Sequence, residues 1–328
     1  MSNKPIYKLV DWIEKISIND HYCQDYISIN PNGINFLKKN SHLINWFILS
    51  INENAIELLE KNQDKIDWFY LSSNPNAIKL LENNLDKIDW YNLSKNPNAI
   101  KILEKNKTKI NWSYLSSNPN AYELLRENQE KIDWFSLSSN TNSNILQLLK
   151  DNFNKINWIS LSSNSNSIAI KLLEENQDKI DWDKLSSNEN DKAIELLEKN
   201  KCKINTKNFC LNQNPKVIKV LEKNPELINW RYLSFNKNAI HLLKENINLT
   251  NSFYLSLNPN AIDILKENKD KIHKIIYTNP GIFQLDYEEM KIKFQDFEED
   301  LIKEILKPTR VIRNLILFNY DIDDMYLF

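Results

Sequence analysis

The sequence predicts an all-α protein, an elongated solenoid of about eleven two-helix repeats (an α-helix plus a short α or 3-10 helix), each 22–24 residues long, with helical caps at both ends. Three observations carry this. First, Trp46, Trp68, Trp90, Trp112 and Trp134 recur every 22 residues, the step lengthens to 24 at Trp158 and Trp182, and the frame continues through Thr206, Trp230 and Ser252. Run backward, it reaches Gln24, so eleven units span residues 24–273, seven of 22 residues and four of 24. Periods of this length mark arrays whose units stack to bury a shared core. Second, apolar residues within each unit fall at helical spacing. Third, there are two glycines in 328 residues, Gly33 and Gly281, while Asn is abundant at positions where helices start and stop.

In the unit WFYLSSNPNAIKLLENNLDKID, Asp67 is placed to cap a short helix that begins at Trp68 and stops at Ser72 and Ser73. Trp68 and Leu71, three apart, share the face predicted to be buried. Asn74 followed by Pro75 suits an N-cap with proline at the first helical position. Ala77, Ile78, Leu80 and Leu81 then give the second helix its apolar face, and Asn84 is placed for a left-handed C-cap. A β-strand reading of WFYLS, as in leucine-rich repeats of similar period, lacks strict alternation and the LxxLxLxxN signature. The two extra residues of the 24-residue units, in SSNSNSIAIKLL and SSNENDKAIELL, fall between the Asn cap and the helix, where they are expected to lengthen a loop.

Residues 1–23 form the predicted N-terminal cap, residues 24–283 the solenoid and residues 284–328 the C-terminal helical cap. In the first, Ile6, Leu9, Val10, Trp12 and Ile13 can supply a short helix. In the last, Asp286 and Glu289 have capping-box spacing. A long amphipathic helix follows through Met290, Phe294, Phe297, Leu301 and Ile305, and Pro308 precedes a further helix at Val311, Ile312, Leu315 and Ile316. Arrays need such caps over their terminal apolar faces.

The string LSSNPNAIKLLENNLDKIDW, repeated as LSKNPNAIKILEKNKTKINW and LSSNPNAYELLRENQEKIDW, resembles the tandem repeats abundant in giant DNA viruses of the Mimivirus type. The likeness covers Gln24 to about Phe283 and is specific at the Trp, Leu-Ser, Asn-Pro-Asn-Ala and Leu-Leu-Glu positions. It implies a viral interaction scaffold, located in the host cell cytoplasm or packaged in the virion. In construction the unit is also similar to the leucine-rich variant repeat, which alternates α and 3-10 helices, though that repeat lacks the recurring Trp.

Chemistry is harder to find. The formal charge of −2 is a poor footprint for a dedicated nucleic-acid or membrane-surface protein. Two isolated glycines exclude phosphate cradles of the P-loop and dinucleotide type. Cys23, Cys202 and Cys210 read as free thiols of a reducing compartment, and no apolar run is long enough to span a membrane. The four histidines lack paired-ligand spacing, and Asp321, Asp323 and Asp324 lack the glycine and closing Glu of a calcium loop. No nucleophile–base set can be assembled. The expectation is a non-catalytic protein without metal or cofactor.

Two columns remain. Lys65, Lys87, Lys109, Lys131, Lys155, Lys179 and Lys203 each precede an Ile-Asp/Asn pair and then the Trp position, which is Thr206 after Lys203, and the column resumes at Lys271. They could track phosphates, but flanking acids and the Trp surface beneath favour a structural role. The second column lies one and two residues after the Trp and varies while the frame does not: Phe47, Phe69/Tyr70, Tyr91, Tyr114 and Phe135, then Asp183/Lys184 and Lys207, then Arg231/Tyr232 and Phe253/Tyr254. Aromatics and Arg are enriched where proteins meet. Phe47, Phe69, Tyr70, Tyr91, Tyr114, Tyr232 and Tyr254 are therefore the candidate partner-binding residues. The expected partner is a viral or host protein, and single-stranded nucleic acid using the Lys column and aromatic stacking is the alternative.

Overall fold

A computed structural model describes residues 5–14, 21–292 and 307. The chain divides into a large unit, Leu9–Ile282, and a small one in which Met1–Lys8 is joined by Phe283–Phe328.

The large unit is the predicted all-α repeat array. In the repeat that opens at Trp68, Asp67 caps the helix Trp68–Ser72 by accepting from the Tyr70 N–H at 2.9 Å. Asn74 caps the 3-10 turn Pro75–Ala77, which runs on into the helix Ile78–Glu82. A second 3-10 turn, seen as Gln63–Lys65 in the preceding repeat, returns the chain to the next Trp. Leu71, Ala77 and Leu81 are wholly buried, and so are their counterparts Leu93, Ala99 and Leu103 one repeat later. Neither helix is long enough to be stable alone, and stacking supplies the missing burial.

Asn does the stitching. Asn74 Oδ1 accepts from the Asn76 N–H at 3.0 Å, while its Nδ2 donates to two carbonyls of the previous repeat, Ser50 and Asn52, both at 3.2 Å. Ser72 adds a second stitch: Oγ donates to the Trp68 carbonyl at 2.7 Å and accepts from the Asp89 N–H of the next repeat at 3.0 Å. Among the described residues no buried side-chain N or O lacks a partner. Buried polar groups on this scale are tolerated because each one is satisfied.

The helix ends and the inserted pairs differ from the sequence expectation. Asn62 and Asn106, which follow the second helix, are not left-handed, with φ of −135° and −130°. They cap instead through Nδ2, donating to the Leu58 and Ile102 carbonyls at 2.9 and 2.8 Å. The insertions of the 24-residue units do not lengthen a loop. Asn142, Asn166, Asn190 and Asn214 cap continuous nine-residue helices, Ser143–Asp151, Ser167–Glu175, Asp191–Lys199 and Pro215–Lys223, so the extra pair becomes the first helical turn.

A further correction concerns the ends of the array. An elongated array would leave them apart, but Asn30 donates to the carbonyls of Tyr277 and Asn279, both at 3.0 Å, across 247 and 249 residues. This is the same stitch that joins every neighbouring pair. Lys274–Thr278 and Pro280–Ile282 are a twelfth, shortened repeat, in which Asn279 in turn donates to Ser256 and Asn258. The Asn circuit therefore closes on itself through twelve repeats among the described residues. Within it, the first helices of neighbouring repeats pack together more extensively than the second helices do. In a closed array that puts the first helices on the inner, concave side.

Both glycines of the chain sit in the two repeats that close the circuit. At Gly33, where other repeats carry the buried Ala, a Cβ would meet the Ile27 carbonyl at 2.8 Å. At Gly281, where others carry Asn, it would meet the Pro259 carbonyl and Ile262 Cγ1 at 2.7 Å.

In the small unit the N-terminal segment is a strand, not the expected helix. Strand β1 (Tyr7–Leu9) pairs with β2 (Phe283–Leu285), antiparallel, since the Asp286 N–H donates to Ile6 while the Val10 N–H donates to Ile282. Within residues 5–14 only Asp11–Glu14 is helical, and it takes in Trp12 and Ile13 of the expected cap. Asp286 caps the following helix as read from sequence, accepting from the Glu289 N–H at 3.2 Å. The predicted helices through Phe294–Ile305 and Val311–Ile316, and the acidic Asp321, Asp323 and Asp324, lie outside the described residues.

Candidate interaction surface

The candidate residues lie on the inner helices, and the structure separates the two positions that sequence could not. The residue immediately after the Trp points out: Phe47, Phe69, Tyr91, Phe135 and Ile159 are each between 50% and 61% exposed. The residue after that is half-buried and packs against the neighbouring repeat. Tyr70 lies edge-on to Phe47 at 4.6 Å between ring centroids, and Tyr114 to Tyr91 at 4.4 Å. Tyr232 meets Tyr254 at 5.4 Å. Tyr70, Tyr114, Tyr232 and Tyr254 thus brace the outward row, and Phe47, Phe69 and Tyr91 belong to it. Ile159 was missed because it is not aromatic, though its register after Trp158 marks it.

The outward row changes character around the circuit. From Phe47 to Ile159 it is apolar except at Ser113, then it becomes Asp183, Lys207 and Arg231, and it returns to an aromatic at Phe253. Asp183 is engaged: Oδ1 accepts from Asn205 Nδ2 at 3.0 Å, and its carbonyl accepts from Asn208 Nδ2 at 2.9 Å. The cations are not neutralised. No ion pair among the described residues involves Lys184, Lys207 or Arg231, all exposed. Lys207 and Arg231 flank the Tyr232 ring at 5.4 and 5.8 Å.

The Trp column is half-buried and not sealed in the core as its spacing suggested. What covers it is the Lys column. Lys65 stands over Trp46 at 4.8 Å, Lys87 over Trp68 at 4.8 Å, Lys109 over Trp90 at 4.7 Å, Lys131 over Trp112 at 4.6 Å and Lys155 over Trp134 at 4.7 Å. Lys179 and Lys203 repeat the arrangement on Trp158 and Trp182. Each ammonium thus caps the Trp that opens its own repeat, a cation–π contact that also buries the lysine stem.

Three titratable groups are shifted by their surroundings in ways that packing and pairing explain. Cys210 occupies the stitching-Ser position: Sγ accepts from the Asn229 N–H at 3.2 Å, and burial pushes its pKa up to about 11, away from nucleophilic use. Tyr277 holds the same position at the closure, and burial together with a hydrogen bond to Cys23 raises it to about 12. The exposed Glu57 is held down at about 2 by hydrogen bonds from Lys61 and Lys38. Among the described residues no group of His, Cys, Asp and Glu could hold a metal ion, and no helix is long and apolar enough to cross a membrane. Comparison with protein-family models, with curated proteins and with solved structures finds no match to this chain.

Proposed function

We propose that this protein is a non-catalytic scaffold that binds another protein along the outward row of its inner helices. The observation that carries the reading is the row itself. Five large apolar side chains in register, about half exposed, are costly on a body whose core is complete and whose buried polar groups are satisfied. Large exposed apolar side chains gathered on one face in this way mark interaction sites. The half-buried tyrosines behind it supply the rigid backing that binding anchors need. In the setting that the repeat resemblance implies, the partner is a viral or host protein, met in the host cytoplasm or in the virion.

The nucleic-acid alternative relied on a free Lys ladder. Seven of those lysines are committed to Trp faces, which weighs against it. Affinity purification from infected cells, comparing the wild type with Phe69→Ser/Tyr91→Ser, tests the proposal. A partner retained by the wild type and lost from a stably folded variant is the expected result. Equal retention moves the binding face elsewhere. Tight binding of single-stranded RNA with a steep inverse salt dependence would replace the proposal with the alternative.

A further inference from the structure

We infer that the occupant of the outward row is an extended peptide segment with an apolar residue at every third position and acidic residues at one end. The inference rests on the protein-binding reading above and specifies its ligand.

Spacing selects the backbone. Packed helices stand about 8–10 Å apart, so the row offers one side chain per repeat at about that interval, apolar at each position from Phe47 to Ile159 but Ser113. A polyproline-II segment advances about 9.3 Å in three residues and matches it. A β-strand presents same-face side chains about 6.8 Å apart and falls out of step after one or two repeats. An α-helical heptad advances about 10.5 Å but runs straight, and the row lies on the concave side of a closed array. Aromatic-lined surfaces with tyrosines in ranks are also what polyproline-II ligands dock against.

Charge selects the end. After Phe47, Phe69, Tyr91, Phe135 and Ile159, interrupted at Ser113, the row passes Asp183, whose Oδ1 accepts from Asn205 Nδ2, and reaches Lys207 and Arg231, which with the adjoining Lys184 are exposed and without carboxylate partners among the described residues. A segment that places apolar side chains on the first stretch carries its next residues onto three exposed cations that outnumber the single carboxylate of Asp183. Carboxylates there gain charge-assisted hydrogen bonds, and lysines would be repelled.

The test is selection of a displayed library of random 18-residue peptides on the full-length protein, with each enriched peptide then measured against Phe69→Ser/Tyr91→Ser. The expected consensus has apolar residues at a three-residue interval and an acidic cluster at one end. The most enriched peptide, measured by fluorescence anisotropy, should bind Lys207→Glu/Arg231→Glu about tenfold or more weakly and recover when its acids are changed to lysine. A consensus without acids, a helical i, i+4, i+7 pattern, or binding indifferent to the charge reversal overturns the inference while leaving a protein partner on the row intact. Enriched peptides that bind Phe69→Ser/Tyr91→Ser as well as the wild type overturn both readings. Displacement of the peptide by single-stranded oligo-dT at comparable concentration would assign the row to nucleic acid instead.

Discussion

The joint between the repeats that open at Trp90 and Trp112 and the joint that closes the circuit use the same central stitch and differ in all that surrounds it. At the first, Asn118 bridges to Ser94 and Asn96, Ser94 Oγ accepts from the Asn111 N–H, and Lys109 covers Trp90. At the closure, Asn30 bridges to Tyr277 and Asn279, but a tyrosine stands where the serine would, Gln24 and Lys274 replace the two Trp positions, and both glycines lie here. The difference separates what the fold requires from what the regular repeat adds. Asn bridging is kept at every joint, while the Trp–Lys pair and the Ser stitch are dispensable where the chain must approach itself more closely.

If that is right, losing an Asn should be the largest single effect. Asn118→Ala leaves two carbonyls and the Asn120 N–H without their buried partner and should cost about 2–4 kcal/mol in a denaturant titration. Asn30→Ala removes the same bonds where no covalent chain backs them. Amide exchange should then accelerate in residues 21–30 and 274–282 while the repeats around Trp112 keep their protection. Uniform acceleration throughout the array would erase the distinction between the two joints.

Trp112→Ala makes a regular joint resemble the closure. A fully buried Trp would cost about 3–5 kcal/mol, but Trp112 is half-buried beneath Lys131, and about 2–3 kcal/mol is expected. A loss below about 1 kcal/mol would mean that the Trp column is decoration on an Asn frame.

Gly281→Val tests the closure from its own side. Elsewhere an Asn at this position reaches back to the previous repeat, as Asn260 does to the Lys237 carbonyl at 3.0 Å. At Gly281 the backbone itself has moved in, and a Cβ would stand 2.7 Å from the Pro259 carbonyl. The expected cost is about 1–3 kcal/mol, with faster exchange confined to the closing repeats. A neutral outcome would show that the last repeat can slide outward without loss.

Much of this frame is legible in the sequence, and the limits have physical causes. Asp67 and Asn74 announce their caps because short polar side chains before an apolar helical stretch have few other uses, and Asn-Pro fixes the register. Closure was not legible. It depends on how far each repeat rotates on the last, a property of packing angles that a period does not encode. Its traces, Gly33, Gly281 and the shortened Asn279-Pro280, read as an array ending. The outward row was half legible: on helices of four to six residues, spacing cannot tell Phe69 from Tyr70, and only the neighbouring repeat decides which is covered. Trp68 misled for a related reason. Its hydrophobicity argued for burial, and the cover turned out to be Lys87, from the far end of its own repeat.

Alkaline pH offers a milder probe. Tyr277 has its pKa raised to about 12 against an ordinary value near 10, so the fold favours the neutral phenol. The stabilisation is complete below about pH 10 and is lost as pH rises from there through about 12, where the unfolded chain has already released the proton. Exchange in residues 274–282 should quicken across that window before the regular joints respond. Tyr277→Phe should abolish the early response, and a variant that still opens first at high pH would point to another group at the closure.

The smallest effect expected is that of Lys131→Met. Methionine keeps the apolar stem over Trp112 and removes the ammonium that stands 4.6 Å from the ring. At a site this exposed the cation–π contribution is about 0.5–1 kcal/mol. The side chain's nearest carboxylate contact, Glu130 at 3.9 Å between exposed groups, adds little. The ammonium also donates to Asn128 Oδ1 at 3.1 Å in an exposed contact, so Asn128→Ala is the reference in which Lys131→Met separates coverage from charge. A loss of about 0.5–1 kcal/mol, unchanged in high salt, would credit the ring contact. No loss at all would assign the whole benefit to the stem, and the closure, which lacks the pair entirely, would then differ from a regular joint in packed area alone.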